Sequence, residues 1–322
     1  NTNKLKTYAQ TARREFIEAV TERAHYYGLK ENSIVPCEVK GDFTIINGCA
    51  FPRRVDEQRR ALEEQVNRKG FSQVIEEVAY TWFNRFAAIR YMELHGFLSH
   101  GYRVLSHPEG SSIPEILEKA QHVELTGLDK EEVIKLKMDG TKDGELYSKL
   151  IIAECNELSK AMPFLFEHVQ DYTELLLPDN LLHSDSIIRR LVNEICEEDW
   201  QAVEIIGWLY QYYISEKQDE VIGNIVKSED IPAATQLFTP NWIVKYMVQN
   251  SLGAQWLATY PHSTLAGQME YYIEPAEQTD EVKAQLAAIT PSTLNPEELT
   301  LIDPASGSGH ILVEAYELFK AI

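Results

Sequence analysis

Cysteine is scarce in this chain, with four residues in 322. Cys37, Cys49, Cys155 and Cys196 stand far apart, with no CxxC and no paired Cys/His spacing. That argues against structural zinc and a disulfide framework, and for buried free thiols in a reducing compartment. The nine histidines form no HxxxH or other ligand-like group, so no metal site is assigned. No uninterrupted apolar run approaches the ~20 residues that span a bilayer. The opening Asn1 to Arg14 is polar and lacks an apolar signal core. Both absences point to a cytoplasmic protein with no membrane partner. Positive charge is also short, at 30 Lys and Arg against 50 Asp and Glu, for a net −20. Phosphate neutralisation needs clustered cations. A nucleic-acid partner therefore requires basic residues outside this chain, or a local basic face that the total conceals.

The 44% hydrophobic content fits a globular protein with a sizeable core, and the length suits about two domains. Leu5 to Leu29 reads as one or two helices, with Phe16, Ala19, Val20 and Ala24 at helical spacing and Gly28 as a stop. Between Ile34 and Phe51, β-branched and aromatic residues surround Gly41-Asp42 and Asn47-Gly48, a hairpin pattern. Helical sequence resumes near Asp56, pauses at Gly70 and continues to Leu98. Asp129 and Glu132 have capping-box spacing, Lys142-Asp143-Gly144 reads as a turn, and Ser186 and Glu197-Glu198-Asp199 mark helix starts. Residues 1–225 are expected to form a mainly helical domain. Residues 226–322 read as the start of a second domain. There Thr239 suits an N-cap and Pro240 the first helical position, ahead of a helix from Asn241 to Leu252 that ends at Gly253.

Near the far end, Leu301-Ile302-Asp303-Pro304-Ala305-Ser306-Gly307-Ser308-Gly309-His310-Ile311-Leu312 reads as strand, tight loop and helix. Small residues let a ligand approach the backbone, and the helix start offers free N–H donors. A P-loop lacks its Gly-Lys-Ser/Thr here, and Leu312 stands where a dinucleotide fold has its third glycine. A plain strand-to-helix turn remains a reading, as does a pocket for S-adenosylmethionine. In that pocket Asp303 would meet the cationic end of the cofactor, and the glycines would leave room for its methionine and sugar portions.

This segment resembles motif I of adenine-specific DNA methyltransferases, Asp-Pro-Ala-Cys-Gly-Ser-Gly, with Ser306 at the cysteine position. Thr235-Gln236-Leu237-Phe238-Thr239-Pro240 resembles their motif X, and it precedes motif I as in type I modification subunits. The stretch from Leu252 to Thr300 is longer than the connection usual there. Tyr80–Glu93, Glu204–Tyr213 and Asn3–Ala9 resemble further segments of the family. Together they identify the chain with the amino-terminal part of the PglX-type methyltransferases of bacterial BREX phage-defence systems.

The resemblance implies a mainly α N-terminal domain followed by the start of an α/β Rossmann-like methyltransferase domain. It implies S-adenosylmethionine held by Phe238, Thr239, Pro240, Asp303, Pro304, Ala305, Ser306, Gly307 and Gly309, and methyl transfer to adenine N6 of a flipped base in DNA. The family's Asn-Pro-Pro-Tyr-type motif is absent from the 322 residues, since Asn295-Pro296-Glu297 does not match. No catalytic residue is therefore assigned, and the chain alone is expected to be inactive. DNA would be contacted mainly through regions beyond it. Other BREX proteins, and a phage inhibitor, are the expected protein partners. The alternative function is a protein-interaction module.

Trp82, Phe83 and Phe86 read as helix core rather than base-stacking residues. Trp208, Tyr210, Tyr212 and Tyr213 cannot all face one core, so some are expected at an internal contact. Arg85 and Arg90 read as ion-pair partners. Arg53-Arg54 and Arg59-Arg60, interspersed with Glu63 and Glu64, read as a solvated helix face.

Overall fold

The computed structural model describes residues 2–166, 172–221, 231–235, 239–306 and 309–322. The chain divides into two compact units, Asn1–Asp219 and Glu220–Ile322.

The first unit opens with one long helix, α1 (Thr2–Tyr26). Its buried residues Tyr8, Ala12, Phe16, Val20 and Ala24 recur every three to four positions, the spacing that puts them on one face. That face packs along α3 (Phe71–Leu94). Phe16 meets Phe83 edge-on, with ring centroids 5.6 Å apart. The chain between them folds back as a two-strand ribbon, β1 (Leu29–Lys30) with β2 (Ser33–Ile34), and a three-strand antiparallel sheet, β3 (Glu38–Lys40), β4 (Phe43–Ile46) and β5 (Cys49–Pro52). Both expected turns are present. Lys40 pairs with Phe43 across Gly41-Asp42, and Ile46 with Cys49 across Asn47-Gly48. Asn47 and Gly48 both have positive φ, 52° and 78°, the conformation of the two-residue turn that matches strand twist.

α2 (Arg54–Lys69) stops at Gly70, where φ is 94°. The rest of the unit is α4 (Glu115–Glu118), α5 (Lys130–Asp139), α6 (Asp143–Leu158), α7 (Tyr172–Leu175), α8 (Ile187–Glu194) and α9 (Glu204–Val221). Asp129 caps α5 as its spacing predicts, its Oδ1 accepting from Glu131 N at 2.8 Å and Glu132 N at 3.2 Å. Ser186 caps α8, with Oγ 3.3 Å from Arg189 N. The turn expected at Lys142-Asp143-Gly144 lies earlier: Gly140 is left-handed (φ 61°), and Asp143 and Gly144 already belong to α6.

The three aromatic residues of α3 lie in the core as their spacing predicts. Trp82, Phe83 and Phe86 are buried, and Tyr213 of α9 stacks on Phe83 at 4.3 Å while Tyr210 meets Tyr80. Arg90 is buried. It donates to Glu93 (2.6 Å), Ser106 (2.7 Å) and Glu197 (3.1 Å), tying α3 to the loops that cross it. Arg59 departs from its expected solvated face. Only 1% of its side chain is exposed. It donates to the carbonyls of Tyr27 (2.8 Å) and Val35. The Tyr27 carbonyl lies just past the end of α1 and its bond to Arg59 is buried, and a buried carbonyl demands a donor.

In the second unit, α10 (Ile231–Thr235) precedes α11 (Asn241–Val248). The helix expected through Leu252 does not end at Gly253. It passes through a π turn, Gln249–Gly253, into α12 (Ala254–Thr259). α13 (Asp280–Ile289) has Thr279 as its N-cap, and α14 (His310–Ala321) closes the unit. Val244, Val248, Leu252 and Leu257 form one apolar cluster with Leu265, Met269, Ala315 and Leu318.

Among the described residues, all strands are antiparallel and lie in the first unit. The strand expected at Leu301–Asp303 is not formed. A strand exists only by pairing, and no neighbouring strand is present among the described residues. Ile302 accordingly stands 86% exposed.

Candidate cofactor site

Two chain segments enter this region of the second unit. The first is Thr239-Pro240, both half-buried. Pro240, not Thr239, occupies the cap position of α11, and its carbonyl accepts from Ile243 N (2.9 Å) and Val244 N (3.2 Å). No side chain caps this helix, so the expected register is one residue early. The difference follows from chemistry: proline supplies the carbonyl that the first turn needs and has no N–H to leave unmatched. Phe238 lies outside the described residues.

The second segment is the loop ahead of α14. Asp303 Oδ1 accepts from Ala305 N at 3.0 Å, which turns the chain through Pro304 and Ala305. Pro304, Ala305 and Ser306 are exposed. Gly309 N donates to Ser306 O at 2.7 Å. Gly309 has φ 76°, the left-handed region that favours glycine, and opens α14 by accepting from Val313 N at 2.9 Å. Gly307 lies outside the described residues. The other carboxylate oxygen, Asp303 Oδ2, is buried and has no hydrogen-bond partner among the described residues.

The helices behind the two segments set their relation. α11 packs along α14. A Cβ on Gly253 would lie 3.6 Å from Leu318 Cδ2, so the far end of the α11–π segment lies beside the last turns of α14. The loop ahead of α14 offers a buried carboxylate oxygen with no partner among the described residues, and the start of α11 offers backbone N–H groups. An ammonium or hydroxyl donor suits the oxygen, and a carboxylate suits the helix terminus.

Sequence reading missed the clamp that steadies this arrangement. Asn250 Nδ2 donates to the carbonyls of Tyr246 and Tyr271, each at 2.8 Å, and its Oδ1 accepts from Ile273 N at 2.9 Å. Gln249 Oε1 accepts from Tyr271 N at 2.7 Å. Two adjacent side-chain amides in an otherwise apolar helix were the available signal. Gly253, read as a helix stop, instead leaves space for Met269: a Cβ there would come 2.5 Å from Sδ.

Over its whole length the chain is 53% identical, across 329 aligned residues, to the adenine-specific methyltransferase BrxX of Escherichia coli O9:H4 (strain HS). Over 98% of its length it is 35% identical to the adenine-specific methyltransferase PglX of Lacticaseibacillus casei (strain Zhang). The chain is similar to the amino-terminal part of these two adenine-specific methyltransferases. It spans 27% and 28% of the length of these two relatives. No family model matches it. The segments at 235–240 and 303–309 both fall inside the region aligned with BrxX, which covers the chain completely. Among the described residues no helix is long and apolar enough to cross a membrane.

Proposed function

We propose that this chain is the amino-terminal part of a cytoplasmic enzyme that methylates adenine N6 in DNA and acts in BREX defence against phage. In this reading the second unit is the beginning of a Rossmann-like domain. Thr239, Pro240 and Asp303–Gly309 hold S-adenosylmethionine, and Phe238 borders it. The observation that carries the reading is the buried, unmatched Asp303 Oδ2 in the loop ahead of α14. Leaving such an acceptor without a donor costs about 1–3 kcal/mol. The cofactor's amino-acid end supplies an ammonium donor together with a carboxylate for the helix terminus. S-adenosylmethionine, when bound, provides the methyl group. This chain's residues bind and orient it, with Asp303 fixed by its bond to Ala305 N.

Methyl transfer needs groups to hold the adenine amino nitrogen, and no Asn-Pro-Pro-Tyr motif occurs in the 322 residues. The chain alone is therefore inactive. DNA is held mainly by regions outside it, in keeping with the net charge of −20. The test uses the full-length enzyme and calorimetry with S-adenosylmethionine. Asp303→Asn, which removes the charge and keeps the size, weakens binding by about tenfold or more, the worth of one charge-assisted hydrogen bond. Unchanged affinity in that variant, or radiolabelled methyl transfer by the chain alone, would refute the reading.

The acidic surface also favours a second role for the helical unit, docking other BREX proteins or a phage inhibitor. Co-purification of residues 1–225 with those proteins in the absence of DNA tests it.

A further inference from the structure

The first unit contains a cleft of about 850 Å³ between the end of α1, the start of α2, α6 and the loop at residues 177–183. Its size is that of small-molecule sites, roughly 300–1,000 Å³. The floor is apolar: Phe51, Val55, Leu175 and Leu177 are all buried. At the rim stands Tyr26, 50% exposed. Its ring is braced edge-on against Phe51 (5.4 Å) and Tyr27 (5.2 Å). The Arg23 guanidinium lies 5.2 Å from its centroid. Arg23 is itself fixed by Asp179 and by the carbonyl of Leu175. A half-exposed tyrosine held this rigidly has already lost the freedom that binding would remove, the property of an aromatic anchor.

Polar groups with spare capacity surround that ring. The Asn180 amide and the His183 imidazole make no hydrogen bond among the described residues. Asn180 adopts φ 57°, a conformation asparagine tolerates and most residues do not. Arg54 is 64% exposed and pairs with Glu174 at 3.3 Å. Lys149 also lines the cleft and pairs with Glu132 at 3.0 Å, a partly exposed pair that a phosphate can compete for. Glu145 contributes one carboxylate with no pair among the described residues, suited to a sugar hydroxyl or an exocyclic amino group. The set is a planar apolar surface, an amide able to read a base edge, cations for phosphate and an acceptor for ribose.

We propose that this cleft binds a nucleotide, with the base on Tyr26, its edge read by Asn180 and the phosphate beside Arg54 and Lys149. The site is separate from the cofactor site, which is built from the second unit. The experiment titrates the full chain with ATP and AMP by calorimetry, alone and with saturating S-adenosylhomocysteine, beside a single-stranded oligonucleotide. Expected is saturable mononucleotide binding that survives S-adenosylhomocysteine and Asp303→Ala. Tyr26→Ala weakens it by about tenfold or more, the usual loss of a stacking platform, and Tyr26→Phe largely restores it. Asn180→Gly, which keeps the backbone conformation, weakens adenine over uracil nucleotides. No saturable binding at millimolar nucleotide overturns the proposal. So does binding of the oligonucleotide only, binding abolished by Asp303→Ala, or binding indifferent to Tyr26→Ala in protein with an unchanged circular dichroism spectrum.

Discussion

Replacing Arg59 by methionine removes a buried guanidinium while keeping most of the aliphatic stem. Two acceptors lose their donor, the carbonyls of Tyr27 and Val35. The bond to Tyr27 is buried and the one to Val35 part-buried. At about 1–3 kcal/mol for a buried group left unmatched, and less for one that water reaches, the gross loss is roughly 2–5 kcal/mol. Relief from burying the guanidinium offsets part of it. Glu63, 3.6 Å away and 38% exposed, returns to water at little cost. A net loss of ~2–4 kcal/mol follows. Arg60 is the internal control. It is 68% exposed and pairs with Asp56 at 2.9 Å, so Arg60→Met costs about 0–1 kcal/mol. Urea unfolding followed by far-ultraviolet circular dichroism separates the two. With a slope near 3 kcal/mol per molar, the Arg59 variant loses roughly 1 M in midpoint. Equal midpoints for the two variants would refute the assignment of Arg59 as the strut between α2 and the end of α1.

Gly253→Ala forces Met269 to move, because the new Cβ would approach its Sδ at 2.5 Å. The displaced atoms are the flexible end of the methionine, and alanine gains about 1 kcal/mol of helix propensity over glycine, so the net cost to the second unit is about 0–1 kcal/mol. Slower unfolding of residues 240–322 by limited proteolysis than in the parent chain would show that Met269 yields freely. Asp129→Ala unmatches the Glu131 and Glu132 amides. It costs about 1 kcal/mol, and its signature is accelerated hydrogen exchange at the start of α5. Cys49 and Cys196 are exposed and Cys155 is buried, with burial pushing the Cys155 thiol up to about 12. At pH 8 a thiol reagent therefore labels the first two and spares Cys155 until urea is added. Because an unfolded thiol ionises near ~8.5, the Cys155 contribution to stability is complete below that pH. It falls as pH rises toward 12, a loss that Cys155→Val removes from the alkaline limb of the stability profile.

Local signals in this chain were legible where one residue type has one physical use. Asp129 and Ser186 cap helices because their oxygens match orphan amides, and Asn47-Gly48 turns because both residues tolerate positive φ. The buried rings of α3 followed from spacing alone. Arg59 was misread because its neighbours Glu63 and Glu64 signal water, whereas its partners are carbonyls some 24 and 32 positions away, invisible to any local pattern. The missing strand at Leu301–Asp303 has the same origin, since pairing is a property of a neighbour and not of the segment. In the candidate site, Asp303 and Gly309 stood out by the loop's composition and its resemblance to motif I; the structure gives one a bond to Ala305 N and the other a left-handed backbone. The cap at Pro240 differed by one residue, and the Gln249–Asn250 clamp escaped because amides carry no periodic signal.

The π turn at Gln249–Gly253 carries one more residue than a regular helical path would. Its trace is the spacing of the inward-facing residues, Val244, Val248, Leu252 and then Leu257, where the last step is five rather than three or four. Each helical residue advances about 100° around the axis. Excising a single amino acid here would shorten the step from Leu252 to Leu257 to four, which a regular helix accommodates with the same face inward. The π turn is thus the point where this path can give up one codon and keep its apolar seam, whereas a further residue inserted there would carry Leu257 toward solvent.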